Sequence, residues 1–411
     1  MVRGEVVRPG AGRQTGQMSD APESSVDPFD EAVLADPYPM HEQLRELGPV
    51  VRLSAYGIWA MARYEQVHAA LVDHDTFCSS AGVGLSDFRK ETPWRPPSLL
   101  LEADPPAHAR ARRPVNRAMS PGTVRRSLDP LATEATELFD RLAGRDEIDG
   151  IGDVAMPYPL TVFPDIVGLP AEGRPHLLPY GEMVFNGFGP RNRLFTEAMA
   201  GAAPVQEWVA RMCRAEHLAP GGMGAHLHAY AAEDGFTPDQ SALLMRSLLS
   251  AGLDTTVHAI GNALWCLAAN PDQYALLRAD PSRAGAAFEE TLRYESAVQT
   301  FFRTTTRAVV VGDVEIPAGE KVLLFLGAAN RDHRRWPDPD RFDIERKAGG
   351  HVAFGAGIHA CVGGALARAE GTALLAELAR RYATITPAGP PQPQLNNTLK
   401  ALRSLPLAVA P

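Results

Sequence analysis

The 411-residue chain is 45% hydrophobic and 22% charged, the balance of a globular protein rather than a disordered or fibrous one. Its 40 basic and 49 acidic residues leave a formal net charge of −9, which argues against general nucleic-acid binding. Four scattered cysteines, Cys78, Cys213, Cys266 and Cys361, form no C-x-x-C pair, so a disulfide framework or zinc ribbon is not indicated and a reducing, cytoplasmic setting is expected. No apolar run is long enough to span a membrane, and the start lacks a signal-peptide core.

Residues 1–26 are rich in Gly, Pro, Ser, Arg and Gln and read as a disordered leader. The segment Asp36–Arg45 is expected to open the folded body with a capped helix. Val50–Met61 has β character, with a turn near Tyr56-Gly57, and from Tyr64 helical spacing dominates. The prolines of Thr92–Ser98 impose a loop, since each removes a donor and restricts its predecessor. His108 and Arg112 lie four apart and share a helical face. Arg110, Arg113 and Arg117 fall on another face, and Pro114 is expected to kink this helix. A second loop is expected around Phe188-Gly-Pro190. Leu243–Ala269 reads as one long helix. Within it Ser247, Ala251 and Thr255, spaced i, i+4, i+8, share a face, and Ser247 and Thr255 stand about 12 Å apart along the axis. Gly252 weakens that helix by about 1 kcal/mol against Ala, which suggests a close approach there. Thr255 can bond the carbonyl of Ala251 and open a groove. Glu290 and Arg293 sit three apart on a helical face. Two β-like runs, Arg307–Val311 and Lys321–Phe325, are read as joined by a Pro-Ala-Gly turn.

The most informative stretch is His351–Glu370. Cys361 follows a glycine-rich loop and precedes a helical run, a layout that suits a thiolate holding a metal from below. Gly355 and Gly357 let the backbone turn tightly, and N–H groups at the helix start can stabilise a sulfur anion.

The pattern Phe354-Gly-x-Gly-x-His-x-Cys-x-Gly363, continued by Ala367-Arg368-x-Glu370, resembles the haem-binding signature of the cytochrome P450 superfamily. The resemblance implies a mainly α fold, a triangular helical prism with small β-sheets, with residues 27–411 as one domain. It implies haem b with its iron on Cys361, where the thiolate pushes electron density toward bound O2. Phe354 would cover the cofactor and Gly363 would leave room for it. The propionates would meet His108, Arg112, Arg303 and His359. The run Ala251–Thr256 matches the family's oxygen-activation motif, with O2 on the iron as what would approach Gly252 and with Asp254 and Thr255 as the acid–alcohol pair that delivers protons. Glu290 and Arg293 match a buried pair tied to Asn330–Asp332 and Asp338–Asp340.

Further segments, among them Thr76–Ser80, Gly82–Phe88, Pro93–Ser98, Leu178–Tyr180, Arg246–Ser250 and Gln299–Arg307, resemble bacterial monooxygenases of para-substituted benzoates, such as 4-methoxybenzoate O-demethylases. On that resemblance Arg95, Ser98 and Ser247 would hold a small aromatic carboxylate, and Phe185, Phe188 and Phe301 would clamp its ring. Oxidation would fall on the para substituent. Electrons would come from an iron–sulfur ferredoxin and its NAD(P)H-dependent reductase, with arginines near Arg113 and Arg117 guiding the donor to a monomeric enzyme. The alternatives are a hydroxylase of a larger natural-product acid or terpenoid, and a non-catalytic haem-thiolate sensor, which the Asp254-Thr255 pair opposes.

Overall fold

The structure, a computed structural model, describes residues 21–411. Helices dominate it. The principal sheet orders its strands Glu23–Ser24, Val51–Leu53, Ile58–Met61, Lys321–Phe325, Thr300–Thr305 and Phe77–Cys78. Most of the leader lies outside the described residues. Its last residues do not fit that reading, because Glu23–Ser24 pairs in parallel with Arg52–Leu53. Ordered structure therefore begins before the segment expected to open it. Asp36 also caps no helix N-terminus there; it closes the short helix Glu31–Ala35, and the next helix starts at Tyr38 after Pro37.

Two features of the sheet aim residues at one interior space. Strand side chains alternate between faces, so Phe301 and Arg303 share a face, with cross-strand partners Leu324 and Val322. Phe302, on the other face, belongs to a separate apolar core. Lys321 is buried and its Nζ donates to the carbonyls of Ala81 (3.1 Å), Gly82 (2.8 Å) and Gly84 (2.9 Å). Segment 81–84 is thereby clasped to the sheet, and the next residue, Leu85, donates its N–H to the carbonyl of Phe188.

The expected hairpin is different in detail. Val309–Val311 pairs with Val314–Ile316 through a turn at Gly312, where φ is 62°. Lys321–Phe325 instead joins Thr300–Thr305 and Ile58–Met61. The strand 314–316 is too short to show its own period. The helix Ala107–Ala118 runs through Pro114 without interruption, so the expected break does not occur.

The helical core gathers Pro121–Arg141, Pro157–Val167, Leu177–Asn186, Ala284–Tyr294 and Gly364–Arg381 around a central rod. That rod is two helices, Pro238–Ala251 and Asp254–Ala269, rather than one. Thr255 Oγ1 donates to the carbonyl of Ala251 at 2.8 Å, in the manner expected for a groove. A Cβ on Gly252 would strike the ring of Phe163, so the close approach there comes from within the core.

Glu290 and Arg293 are fully buried and paired twice at 2.8 Å. Arg293 also donates to the carbonyls of Asn330 (3.0 Å) and Pro339 (2.8 Å), and Arg346 Nε reaches Glu290 at 3.1 Å. The pair therefore ties the Ala284–Tyr294 helix to the irregular 330–346 segment. Removing one partner of a buried pair typically costs about 3–5 kcal/mol. Arg293→Ala is expected to lose stability on that scale in chemical denaturation. A loss below about 1 kcal/mol would show that the network carries little of the fold.

Candidate active site

The central rod, the strand Thr300–Thr305, the Arg95–Leu101 loop and the Ala353–Ala367 segment enclose a cavity of about 240 Å³. Its floor carries Cys361. Gly355 (φ 68°) and Gly357 (φ 67°) turn the chain beneath Phe354, and the Cys361 N–H donates to the Phe354 carbonyl at 2.8 Å. The helix Gly364–Arg381 starts directly after this loop. The accessible surface of Cys361 faces the cavity, while the residue itself lies deep in the fold. Burial pushes its thiol up. The N–H groups of Gly363 and Gly364 and the charges of Arg112 and Arg368 pull the other way. Gly363 lines the same floor, where a Cβ would lie 3.8 Å from the Cys361 sulfur. Arg368 stacks on the Phe354 ring at 4.5 Å.

Beside the floor, four basic side chains converge with no acid paired to any of them among the described residues. The rings of His108 and His359 lie 4.4 Å apart, and both Nε2 atoms are buried without a hydrogen-bond partner. Burial, then Arg303 and His108, push His359 down to about 3. Arg303 is buried, and burial pushes it down to about 10. Its Nη1 donates to the carbonyl of Phe302 at 2.8 Å. Arg112 donates to the carbonyl of Ala360 at 2.7 Å and to Asn116 at 2.8 Å. Arg303 is buried with no acid paired to it and the two imidazoles keep unpartnered ring nitrogens, so this corner has a charge and donors to offer an anionic group.

Above the floor, Thr255 faces the cavity and Asp254 does not. The Asp254 side chain is buried against Gly181 of the helix Leu177–Asn186, with His258 Nε2 at 3.4 Å. Phe185, Phe188 and Phe301 form a continuous aromatic wall, with edge contacts at 5.8 and 5.7 Å.

At the cavity's polar end Ser98 Oγ and Ser247 Oγ are 2.8 Å apart. Here the structure corrects the expectation for Arg95. Its fork is not open: Nη1 and Nη2 bond Glu102 at 3.0 and 3.2 Å, and only Nε is left without a partner. Glu102 also accepts from the N–H of Ser98 at 2.6 Å. The sequence reading missed Arg246, which lines the same end. Its Nη2 donates to the carbonyl of Pro96 at 2.6 Å, and it has no acid partner among the described residues. A charged residue one position before Ser247 in an apolar helix was the available signal. Glu370 was also missed as a cavity residue; burial pushes it up to about 8, and its Oε2 has no partner.

The outward arginines have partners within the chain. Arg117 pairs with Glu233 at 2.6 Å and lies on the Tyr230 ring at 4.0 Å. Arg113 meets Asp234 at 3.4 Å, and Arg110 caps the carbonyl of Gly235 and stacks on Phe236. This stripe is tied to the end of the helix Met223–Glu233 and the turn after it, so it does not stand free.

A chain with a cysteine held over a glycine-rich loop, opposite a broken central helix, belongs to the cytochrome P450 family, whose model (Cytochrome P450) matches residues 223–409. It is 56% identical over 391 residues to cytochrome p450 CYP199A2 of Rhodopseudomonas palustris, covering 95% of each chain, and 39% identical over 379 residues to cytochrome P450 107B1 of Saccharopolyspora erythraea, covering 88% of this chain and 92% of that one. Among solved structures it resembles P450BioI in complex with an acyl carrier protein ligated by hexadec-9Z-enoic acid (TM-score 0.83, 28% identity, 92% of this chain and 99% of that one). It also resembles CYP109Q5 from Chondromyces apiculatus (TM-score 0.79, 32% identity, 94% and 98%). The protein is a cytochrome P450 monooxygenase, an oxidoreductase that uses haem iron, O2 and electrons from a redox partner. None of the described helices is long and apolar enough to cross a membrane.

Proposed function

We propose that this enzyme oxidises para-substituted benzoic acids, O-demethylating 4-methoxybenzoate or hydroxylating para-alkyl groups. The observation that carries the reading is the charge at the polar end of the cavity. Arg95 and Arg246 bring two positive charges there and Glu102 brings one negative charge. The remaining charge suits one carboxylate, beside the two serine hydroxyls. The aromatic wall suits one ring, and a rigid ring anchored at its acid points the opposite substituent at the Cys361 floor.

In the same reading Cys361 ligates the iron of haem b, with Phe354 and Gly363 in its bed. His108, Arg112, Arg303 and His359 receive the propionates. The residues fit the group: the two partnerless imidazoles and the buried Arg303 lack the acids that a haem carries. A haem held by the Cys361 thiolate would supply the oxygen activation. Asp254 and Thr255 supply the protons, Thr255 at the cavity wall and Asp254 behind it. In this reading the electron donor is an iron–sulfur ferredoxin with its NAD(P)H-dependent reductase.

The test is a spectral titration of the haem enzyme with a panel of benzoates. 4-Methoxybenzoate should give a substrate-binding difference spectrum at low concentration, and 4-methoxybenzamide only a weak one. Equal responses to acid and amide, or a response only to larger neutral compounds, would transfer the reading to a natural-product or terpenoid hydroxylase.

A further inference from the structure

The strand Thr300–Thr305 lies between Lys321–Phe325 and Phe77–Cys78. Segment 81–84 continues along its Phe77–Cys78 side, where the Phe302 N–H donates to the Val83 carbonyl at 3.0 Å. Lys321 stands on the other side, with Thr304 as its cross-strand partner. Its ammonium therefore reaches across a whole strand to the carbonyls of Ala81, Gly82 and Gly84. All of its donors are used, and with the Phe302 bond every carbonyl from 81 to 84 has a partner. Burial pushes the ammonium down, and Asp87 pulls the other way but is itself paired with Arg89 at 2.6 Å. An apolar side chain of the same length would fill this space at lower cost. What the lysine adds is one fixed path for segment 81–84.

That path ends on the cavity wall. The Leu85 N–H donates to the Phe188 carbonyl at 2.8 Å. A Cβ at Gly84 would come within 2.8 Å of the Phe188 Cα and of its carbonyl oxygen, so the two backbones touch with no side chain between them. Phe188 stands just past the end of the helix Leu177–Asn186, and its N–H donates to the Phe185 carbonyl at 3.3 Å. Its ring meets those of Phe185 and Phe301. Phe301 belongs to the strand that Lys321 reaches across. One ammonium thus links the support of Phe188 to the support of Phe301.

We propose that Lys321 is a positioning residue for the aromatic wall: through segment 81–85 it fixes Phe188 against Phe301 and so sets the width of the slot that takes the substrate ring. The inference deepens the reading that Phe185, Phe188 and Phe301 clamp an aromatic ring, and it rests on that reading. Lys321 does not line the cavity and touches no substrate. Without the ammonium, the Ala81, Gly82 and Gly84 carbonyls lose their buried donor. The segment then shifts, and Phe188 follows it. The polar end, with Ser98, Arg246 and Ser247, hangs on other elements and keeps its charge. The effect is therefore on fit to the ring and not on recognition of the acid.

The experiment uses the haem-loaded enzyme and the variants Phe188→Ala, Lys321→Met, Lys321→Ala and Phe188→Ala with Lys321→Met. Spectral titrations give the affinities for 4-methoxybenzoate and 4-methoxybenzamide, and thermal melts give stability. Lys321→Met keeps the stem and removes the charge. We expect it to weaken acid and amide by the same factor, about fivefold, the scale of one aromatic pair. On top of Phe188→Ala it should add less than about twofold, because residues that act through one another are not additive. Lys321→Ala should regain most of its loss with added propylammonium, which replaces the atoms removed, and not with 1-propanol. If Lys321→Met does not fold, Lys321→Ala prepared with propylammonium and then dialysed carries the test. A lowered melting temperature with wild-type affinity in Lys321→Met would show a purely structural lysine and overturn the proposal. So would fully additive losses, or a Lys321→Ala enzyme that responds alike to amine and alcohol. Phe188→Ala at wild-type affinity, or a wild-type enzyme that binds neither compound, would overturn the ring-clamp reading and the proposal with it.

Discussion

Cys361→Ser is expected to abolish the reduced carbon-monoxide band characteristic of thiolate-bound haem and to take turnover below detection. The argument starts from the floor of the cavity. Burial pushes the Cys361 thiol up, so the site does not hold a free thiolate cheaply. Cys361 would hold an iron as the thiolate, and the Gly363 and Gly364 N–H groups would then face a sulfur anion. A serine hydroxyl is a far weaker anion and cannot push the same electron density onto the metal. Haem content should be measured on the same preparation, by its pyridine complex, so that loss of the band is separated from loss of the cofactor. A loaded variant that retains the band would place the ligand elsewhere. The four basic side chains at His108, Arg112, Arg303 and His359 should then still bind the propionates, which makes a loaded variant attainable.

That site was legible in the sequence because its parts are local. Phe354, Gly355, Gly357, Cys361 and Gly363 fall within ten residues, and each residue type has one conformational or chemical reason to be there. The Ser247, Ala251, Thr255 face was legible for the same reason, since helical spacing alone aligns it. What failed was non-local or depended on a neighbour. Gly252 was read as the close approach of O2 on the iron, but the ring that comes up against its backbone is Phe163, from a distant helix that the local sequence does not reveal. The outward arginines read as a free stripe until the helix Met223–Glu233 and the turn after it supplied Glu233, Asp234 and Gly235. Pro114 lost to its surroundings: the helix is held along its length by packing of Ala111, Val115 and Ala118, which outweighs one missing backbone bond.

The substrate anchor shows the same limit at its sharpest, and it sets the second expected result. Arg95 looked like an open fork, but Glu102, seven residues on, takes both Nη atoms with the side chain of Glu102 almost fully buried. Ser98 and Ser247 are also partly committed. Ser247 Oγ donates to the carbonyl of Leu243 at 3.1 Å, so the hydrogen between the two hydroxyls comes from Ser98. To donate to a carboxylate, Ser98 must turn away from Ser247. Arg246 is bound only to backbone carbonyls and keeps its whole charge, so it becomes the principal anchor. Arg246→Ala should therefore weaken 4-methoxybenzoate binding by about tenfold or more, about 1.4 kcal/mol, while leaving 4-methoxybenzamide nearly unchanged. Glu102→Gln should act in the opposite direction, tightening the acid several-fold by removing a like charge and loosening Arg95, again with little effect on the amide. Arg95→Ala should be the most damaging of the three for the acid, because it leaves Glu102 buried, unpaired and facing a second carboxylate. Spectral titrations of the three variants with the acid and amide pair decide the matter. If Arg246→Ala weakens acid and amide equally, Arg246 shapes the cavity and anchors no charge. If Glu102→Gln weakens the acid, the Arg95–Glu102 pair is part of the binding surface, and the carboxylate meets Arg95 through it.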